Sequence, residues 1–217
     1  MRREFDGTGL EAAIDDVRAD CWALMSSLLL APPSLEVLDA MARAEGPDGD
    51  DLCARAGRAL FAAARMHSHG DIARAHAVIF AAGSGAGVEL RAARWRPGVA
   101  TTALLLDSKA LGFRRPRGTR EPADHLGAVF RSMSTLVRSG DHASQQRFVG
   151  QHLLPWIVPA MARLRGVAGA AVFETMVDHT AVRATGSAFY VALADFVLAF
   201  VDHEADVLGI EEQAGDA

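Results

Sequence analysis

Three dipeptides, Asp124-His125, Asp178-His179 and Asp202-His203, set a carboxylate beside an imidazole, and His67 and His69 form a His-x-His pair with His76 seven residues beyond. Such groups can hold a divalent metal or move a proton when they converge. Adjacent residues on a helix point about 100° apart, however, so no dipeptide can chelate an ion by itself. No G-x-S-x-G elbow, Walker lysine or catalytic-cysteine signature accompanies them. Gly83-Ser84-Gly85-Ala86-Gly87 has neither a preceding strand nor a following P-loop lysine, and reads as a connector.

Asp124-His125 stands out by its setting, Glu121-Pro122-Ala123-Asp124-His125-Leu126. Proline suits a first helical turn and keeps the residue before it out of α conformation, which predicts Glu121 as N-cap and Pro122 as first helical residue. Asp124 then falls third, where a carboxylate complements the helix dipole. Leu126, Val129, Phe130, Met133, Leu136 and Val137 follow at the spacing of one buried face. His125 is expected beside that face, at the edge of a groove.

The elements that must position this segment are helical. Half of the 217 residues are hydrophobic, alanine is abundant and aromatics are only 6%. That composition favours close-packed helices over a sheet, so the predicted fold is all-α, a bundle of about nine to eleven helices. Leu10, Ile14, Val17, Cys21, Leu24, Met25 and Leu28 predict a first helix over 10–30 with these residues inward, stopped by Pro32-Pro33. Ser34, either Asp50 or Asp51, Asp71 and Asp141 are predicted N-caps of later helices. A helix is predicted from Val99 to Leu111, with Gly112 ending it. Pro155 and Pro159 should break or restart the helix they fall in. The segment from Phe189 to Leu208 is apolar around most of its circumference and should be central.

Charge narrows the function. There are 22 Lys and Arg against 27 Asp and Glu, a net charge of −5, which disfavours nucleic acid as a partner. Arg114, Arg115, Arg117 and Arg120 form one basic run in a Pro/Gly-containing loop, read as solvated. Cys21 and Cys53 have no metal-type spacing and suit a reducing compartment. Arg2-Arg3-Glu4-Phe5 is like the core of a twin-arginine export signal, but Asp6-Gly7-Thr8-Gly9 follows in place of an apolar run, so export is not expected. No stretch has the roughly 18 apolar residues of a membrane span.

The string Glu121-Pro122-Ala123-Asp124-His125-Leu126, preceded by Leu111-Gly112-Phe113, resembles the E-x-x-D-H hallmark of the TorD family of redox-enzyme maturation chaperones (TorD, DmsD and NarJ type). Phe148, His152, Leu153 and Trp156 resemble the family's F-x-x-x-H-L-x-x-W pattern at a comparable distance, and Phe189-Tyr190 resembles its closing F-Y. Phe80-Ala81-Ala82-Gly83 resembles its F-x-G-P-G segment only in part, since the later prolines are absent.

This resemblance implies an all-helical, cytoplasmic, non-enzymatic chaperone without a cofactor. Its partner would be the catalytic subunit of a molybdopterin oxidoreductase or that subunit's twin-arginine leader. Residues 1–112 and 121–217 would be two closely associated lobes joined by a hinge loop at 113–120, as a monomer or a domain-swapped dimer. Glu121, Asp124, His125, Leu126 and Trp156 would contact the bound peptide at an inter-lobe groove. The alternative is a metal-dependent helical phosphohydrolase of the HD class, which would have to gather His67, His69, His125 and Asp202 on a metal. Every dipeptide here reads Asp-His, the reverse of that class's order.

Overall fold

The computed structural model describes residues 7–80, 87–96, 100–113, 121–178 and 186–210. They form ten α-helices and, among the described residues, no strand: α1 (Gly7–Leu30), α2 (Leu35–Arg43), α3 (Leu52–Met66), α4 (His69–Ile79), α5 (Ala92–Trp95), α6 (Ala100–Ala110), α7 (Leu126–Arg138), α8 (His142–His152), α9 (Leu154–Asp178) and α10 (Ser187–Val207). The basic run at Arg114–Arg120, the segment 1–6, His179, Val99, most of the glycine-rich connector and the side chains of Val172, Phe173, Met176 and Val177 lie outside what is described.

Local chemistry sets most helix ends. Ser34 Oγ accepts from the Val37 amide, Asp51 from Ala54 and Asp141 from Ser144, each the N-cap its residue type predicts. For α4 the cap is Ser68, not Asp71; Asp71 stands at the third helical position, and its carboxylate accepts from the Ser68 hydroxyl. Gly112 ends the α6 segment with φ +72°, a conformation that glycine adopts without cost. Pro159 does not interrupt α9, which runs on from Leu154 to Asp178, while the break falls at Leu153, before Pro155.

The core is continuous across both halves of the chain. α10 lies centrally, with Phe189, Tyr190, Leu193, Phe196, Val197, Phe200 and Val201 all buried against α3, α4 and α9. α1 and α7 pack closely along most of their lengths. A Cβ on Gly127 would sit 2.5 Å from Leu30 Cγ, so only glycine permits this approach, and Ser26 Oγ donates to the Gly127 carbonyl at 2.6 Å across it. Trp22 of α1 fills the junction with Phe130 of α7 and Phe200 of α10, each at 5.1 Å between rings.

Buried charge ties α1 to α10 and to α8. Arg18, 6% exposed, donates from Nε and Nη2 to the two oxygens of fully buried Glu204 at 2.8 and 2.9 Å. Trp22 Nε1 donates to Glu204 at 3.0 Å, and Gln145 of α8 accepts from Arg18 at 3.2 Å. With so many partners the carboxylate is satisfied, and removing it would strand a buried guanidinium.

The predicted inner face of α1 is only half correct. Met25 and Leu28 are fully buried, but Leu10, Ile14 and Val17 are 64%, 51% and 63% exposed. From Gly9 to Val17 no residue is buried; burial begins at Arg18 and Ala19 and continues through Trp22. Among the described residues the contacts that other helices make with α1 begin at Asp16: Arg138 at the end of α7 meets Asp16 and Asp20, and Cys53 of α3 comes close at Cys21, so the turns before Asp16 extend past the packed elements.

Candidate functional site

The Glu121–Leu126 segment folds differently from its predicted helix start. The helix begins at Leu126, and His125 is the N-cap, its Nδ1 accepting from the Gly127 amide at 3.1 Å. Glu121, Pro122 and Asp124 precede the helix because the segment pairs with the chain at 88–93. Leu126 N–H donates to Leu90 O at 2.8 Å, Ala92 N–H to Asp124 O at 2.9 Å, and Arg91 and His125 form an isolated antiparallel bridge.

Asp124 therefore does not cap α7. It is 1% exposed, accepts from Arg91 Nε and Nη2 at 3.1 Å each, and accepts from the Ala93 amide at 3.3 Å. Ala93 is the second residue of α5, whose own N-cap Arg91 supplies no side-chain acceptor, so Asp124 caps that short helix from another part of the chain. Arg91 gave no motif signal in the sequence.

The second motif grips a different element. Phe148 stacks edge-on to Phe113 at 5.9 Å and to His152 at 5.1 Å, and His152 Nε2 bonds Asp107 Oδ2 of α6 at 2.7 Å. Trp156 is fully buried, and its indole N–H donates to the His152 carbonyl at 2.6 Å, the partner that a buried indole requires. Leu153 is likewise in the core.

Between the elements held by the two motifs lies a cleft of about 470 Å³. Leu105, Ser108 and Lys109 of α6 with Gly112 and Phe113 form one side; Glu121, Ala123 and, from α7, Ala128, Arg131 and Ser132 form the other. Of the five residues read from the sequence as peptide-contacting, Glu121 lines this cleft. His125 is half-buried at the helix start, whereas Asp124, Leu126 and Trp156 are sealed in the interior, where they hold the walls in place. Phe113, Arg131 and Lys109 were not singled out by spacing as site residues, although Phe113 directly follows the Leu111-Gly112 flank of the first motif. The cleft charge is mixed, one carboxylate with two cations, over a floor of small and apolar side chains.

Electrostatics around His125 favour its neutral form. Burial lowers its pKa, Glu121 and Asp124 pull it back up, and Arg91 and Arg131 push it down again. His76 of α4 lies near, and burial followed by the charge of His125 drops its pKa to about 4. Its Nε2 and the Tyr190 hydroxyl are buried with no hydrogen-bond partner among the described residues, and the rings of His76, Phe80 and Tyr190 stack within 4.7–5.9 Å of one another.

Among the described residues no three His, Cys, Asp or Glu side chains come together as a metal set. His67 and His69 flank the start of α4, His125 caps α7, and Asp202 is exposed on α10. Among the same residues no helix is long and apolar enough to cross a membrane.

The described residues thus form an all-α bundle with a mixed apolar and charged cleft, and the two motifs hold the elements on either side of it. Residues 98–162, which include α6, both motifs and the whole lining of the cleft, match the family described as nitrate reductase delta subunit, of the NarJ and TorD chaperone type. The match covers less than a third of the 217 residues and supports a redox-enzyme maturation chaperone, as the motif resemblance implied. No curated protein matches the chain.

Proposed function

We propose that the protein is a cytoplasmic, non-catalytic chaperone for a molybdopterin oxidoreductase subunit, binding its twin-arginine leader or N-terminal region while the cofactor is inserted and export or assembly waits. The observation that carries this reading is the cleft between α6 and α7, which lies wholly within the family-matched segment and joins an apolar floor to the single carboxylate of Glu121. Residues 1–112 and 121–217 would act as two lobes, with the cleft at their junction.

Energetics assign the roles. An exposed ion pair contributes roughly 0.2–1 kcal/mol, whereas micromolar binding requires about 8 kcal/mol. A buried leucine-sized side chain contributes roughly 1.5–3 kcal/mol before ordering costs, so three or four from the client can supply most of the affinity. Glu121 can take one client guanidinium in a charge-assisted pair, but Lys109 and Arg131 beside it oppose a second positive charge. Charge then sets register, and apolar burial sets affinity.

Calorimetric titration with a leader peptide tests this. The expected result is weak salt dependence and a large loss of affinity when the leader's leucines become serine. Binding that survives those substitutions but vanishes at high salt would reject it.

A further inference from the structure

The exposed residues at the start of α1 are not scattered. Leu10, Ile14, Val17, Cys21, Leu24 and Leu28 follow one another at steps of four, three, four, three and four residues, the repeat of a coiled-coil seam. Along this single stripe exposure falls in steps: the first three are exposed, Cys21 and Leu24 are half-buried, and Leu28 is fully buried. The seam is thus core at one end and bare at the other. The crossover falls near Cys21, where Cys53 at the second position of α3 comes close, and burial together with its neighbour raises the Cys21 thiol to about 11. Leu52, 57% exposed at the first position of α3, adds apolar surface at that end.

The exposed charges that α1 itself sets beside the bare part are all acidic, three carboxylates against the one neighbouring cation of Arg138. Glu11 is exposed on one side of the stripe, and Asp20, with Asp16 beyond it, on the other. Arg138 of α7 meets both aspartates, yet their side chains stay 74% and 72% exposed. Arg18, the one cation in this part of α1, is turned inward onto Glu204 and Asp15. A second copy laid along the stripe would set acidic flank against acidic flank, which is unfavourable. An apolar seam with acidic borders fits a helix whose own apolar seam is bordered by Lys or Arg.

The location separates this face from the cleft. Ser26 of α1 meets Gly127 near the start of α7, whereas Asp16 and Asp20 meet Arg138 at its end, so the helices are antiparallel. Val17 lies nine residues before Ser26, about 14 Å along the axis at 1.5 Å per residue, on the side away from Ala128 and Ser132.

We propose that Leu10, Ile14 and Val17 form a second docking face, distinct from the cleft, that takes a basic amphipathic helix of another protein chain along the bare heptad of the α1 seam.

The probe is an 18-residue synthetic helix with leucine at the seam positions and lysine at the flanks, compared with a twin carrying glutamate at the flanks. Both are titrated into the full chain by fluorescence anisotropy. The lysine peptide should bind and the glutamate peptide should not. Affinity should fall at least tenfold in the variant Leu10→Ser/Ile14→Ser/Val17→Ser and several-fold in Glu11→Gln/Asp16→Asn, with circular dichroism unchanged because all five side chains are exposed. Met66→Ser, exposed elsewhere, should bind as the parent does.

Three results would overturn the proposal: absence of lysine-peptide binding, equal binding of the two peptides, or undiminished binding by the serine variant. A concentration-dependent dimer in sedimentation, abolished by the same triple substitution, would also overturn it by making a second copy the occupant.

Discussion

The two walls of the cleft are built to different standards. α7 buries Leu126, Gly127, Ala128, Val129, Phe130, Met133, Ser134, Leu136 and Val137, and its N-terminal approach is fastened by Asp124 to Arg91 and Ala93. In α6 Leu104 is buried, but Leu105 and Leu106 are 49% and 63% exposed, and among the described residues the side-chain pair Asp107–His152 ties the helix to α8. One wall is part of the core; the other leans on it. A chaperone that must accept a client of variable length and release it gains from that asymmetry, because local opening follows the element with the fewest buried contacts. Asp124, His152 and Trp156 of the motifs thereby hold the frame, and most of the cleft lining is left to side chains outside them.

The largest effect is expected where the firm wall meets α1. Gly127→Val forces atoms into Leu30 and should cost about 3 kcal/mol, the upper end of overpacking penalties, read from the urea midpoint. Asp124→Ala leaves α5 uncapped and Arg91 unpaired at about 2 kcal/mol, with Asp124→Asn losing less; the Ala93 amide should then exchange with solvent sooner than the α7 amides. If either variant is neutral, the firm wall is not firm.

Acid should weaken the same wall by a smaller amount. His76 and His125 are held neutral by burial, so the unfolded chain binds protons first as pH falls below 6.5. Stability is complete above that value and declines toward pH 4, where His76 itself titrates; allowing for partial exposure, the loss is about 1–2 kcal/mol. Protonated His125 can no longer accept from Gly127, and its charge opposes the helix dipole. A His76→Gln variant should flatten the pH profile of the denaturation midpoint between 6.5 and 4.

The smallest global effect belongs to the leaning wall. Asp107→Ala should change overall stability by less than about 1 kcal/mol, the range of partly exposed pairs, yet raise amide exchange across 102–110 selectively. Uniform exchange along α6 and α7 in that variant would erase the distinction between the walls.

How much of this was legible in the sequence depended on the range of the interaction. Ser34, Asp51 and Asp141 act on amides three residues away, and their caps were read from residue type alone, Asp51 as one of the pair Asp50 and Asp51. Asp124 serves an amide 31 residues upstream, so its local position suggested the wrong helix. The Arg18–Glu204 pair spans 186 residues, and no local pattern announces it. Periodicity found α1 and its stripe but could not tell which turns would be covered, because that depends on how far distant elements such as α7 reach along it. The family motifs located the site's neighbourhood; the lining itself, Phe113, Lys109 and Arg131, carried no spacing signal beyond adjacency to them.

The most direct measurement places a photoreactive amino acid at Ser108, at Ser132 and, as a distant control, at exposed Val78, then irradiates each variant with a client leader peptide. Crosslinks at Ser108 and Ser132, suppressed by excess unlabelled leader and absent at Val78, are the predicted outcome. Capture at Val78 with both cleft positions silent would contradict the account.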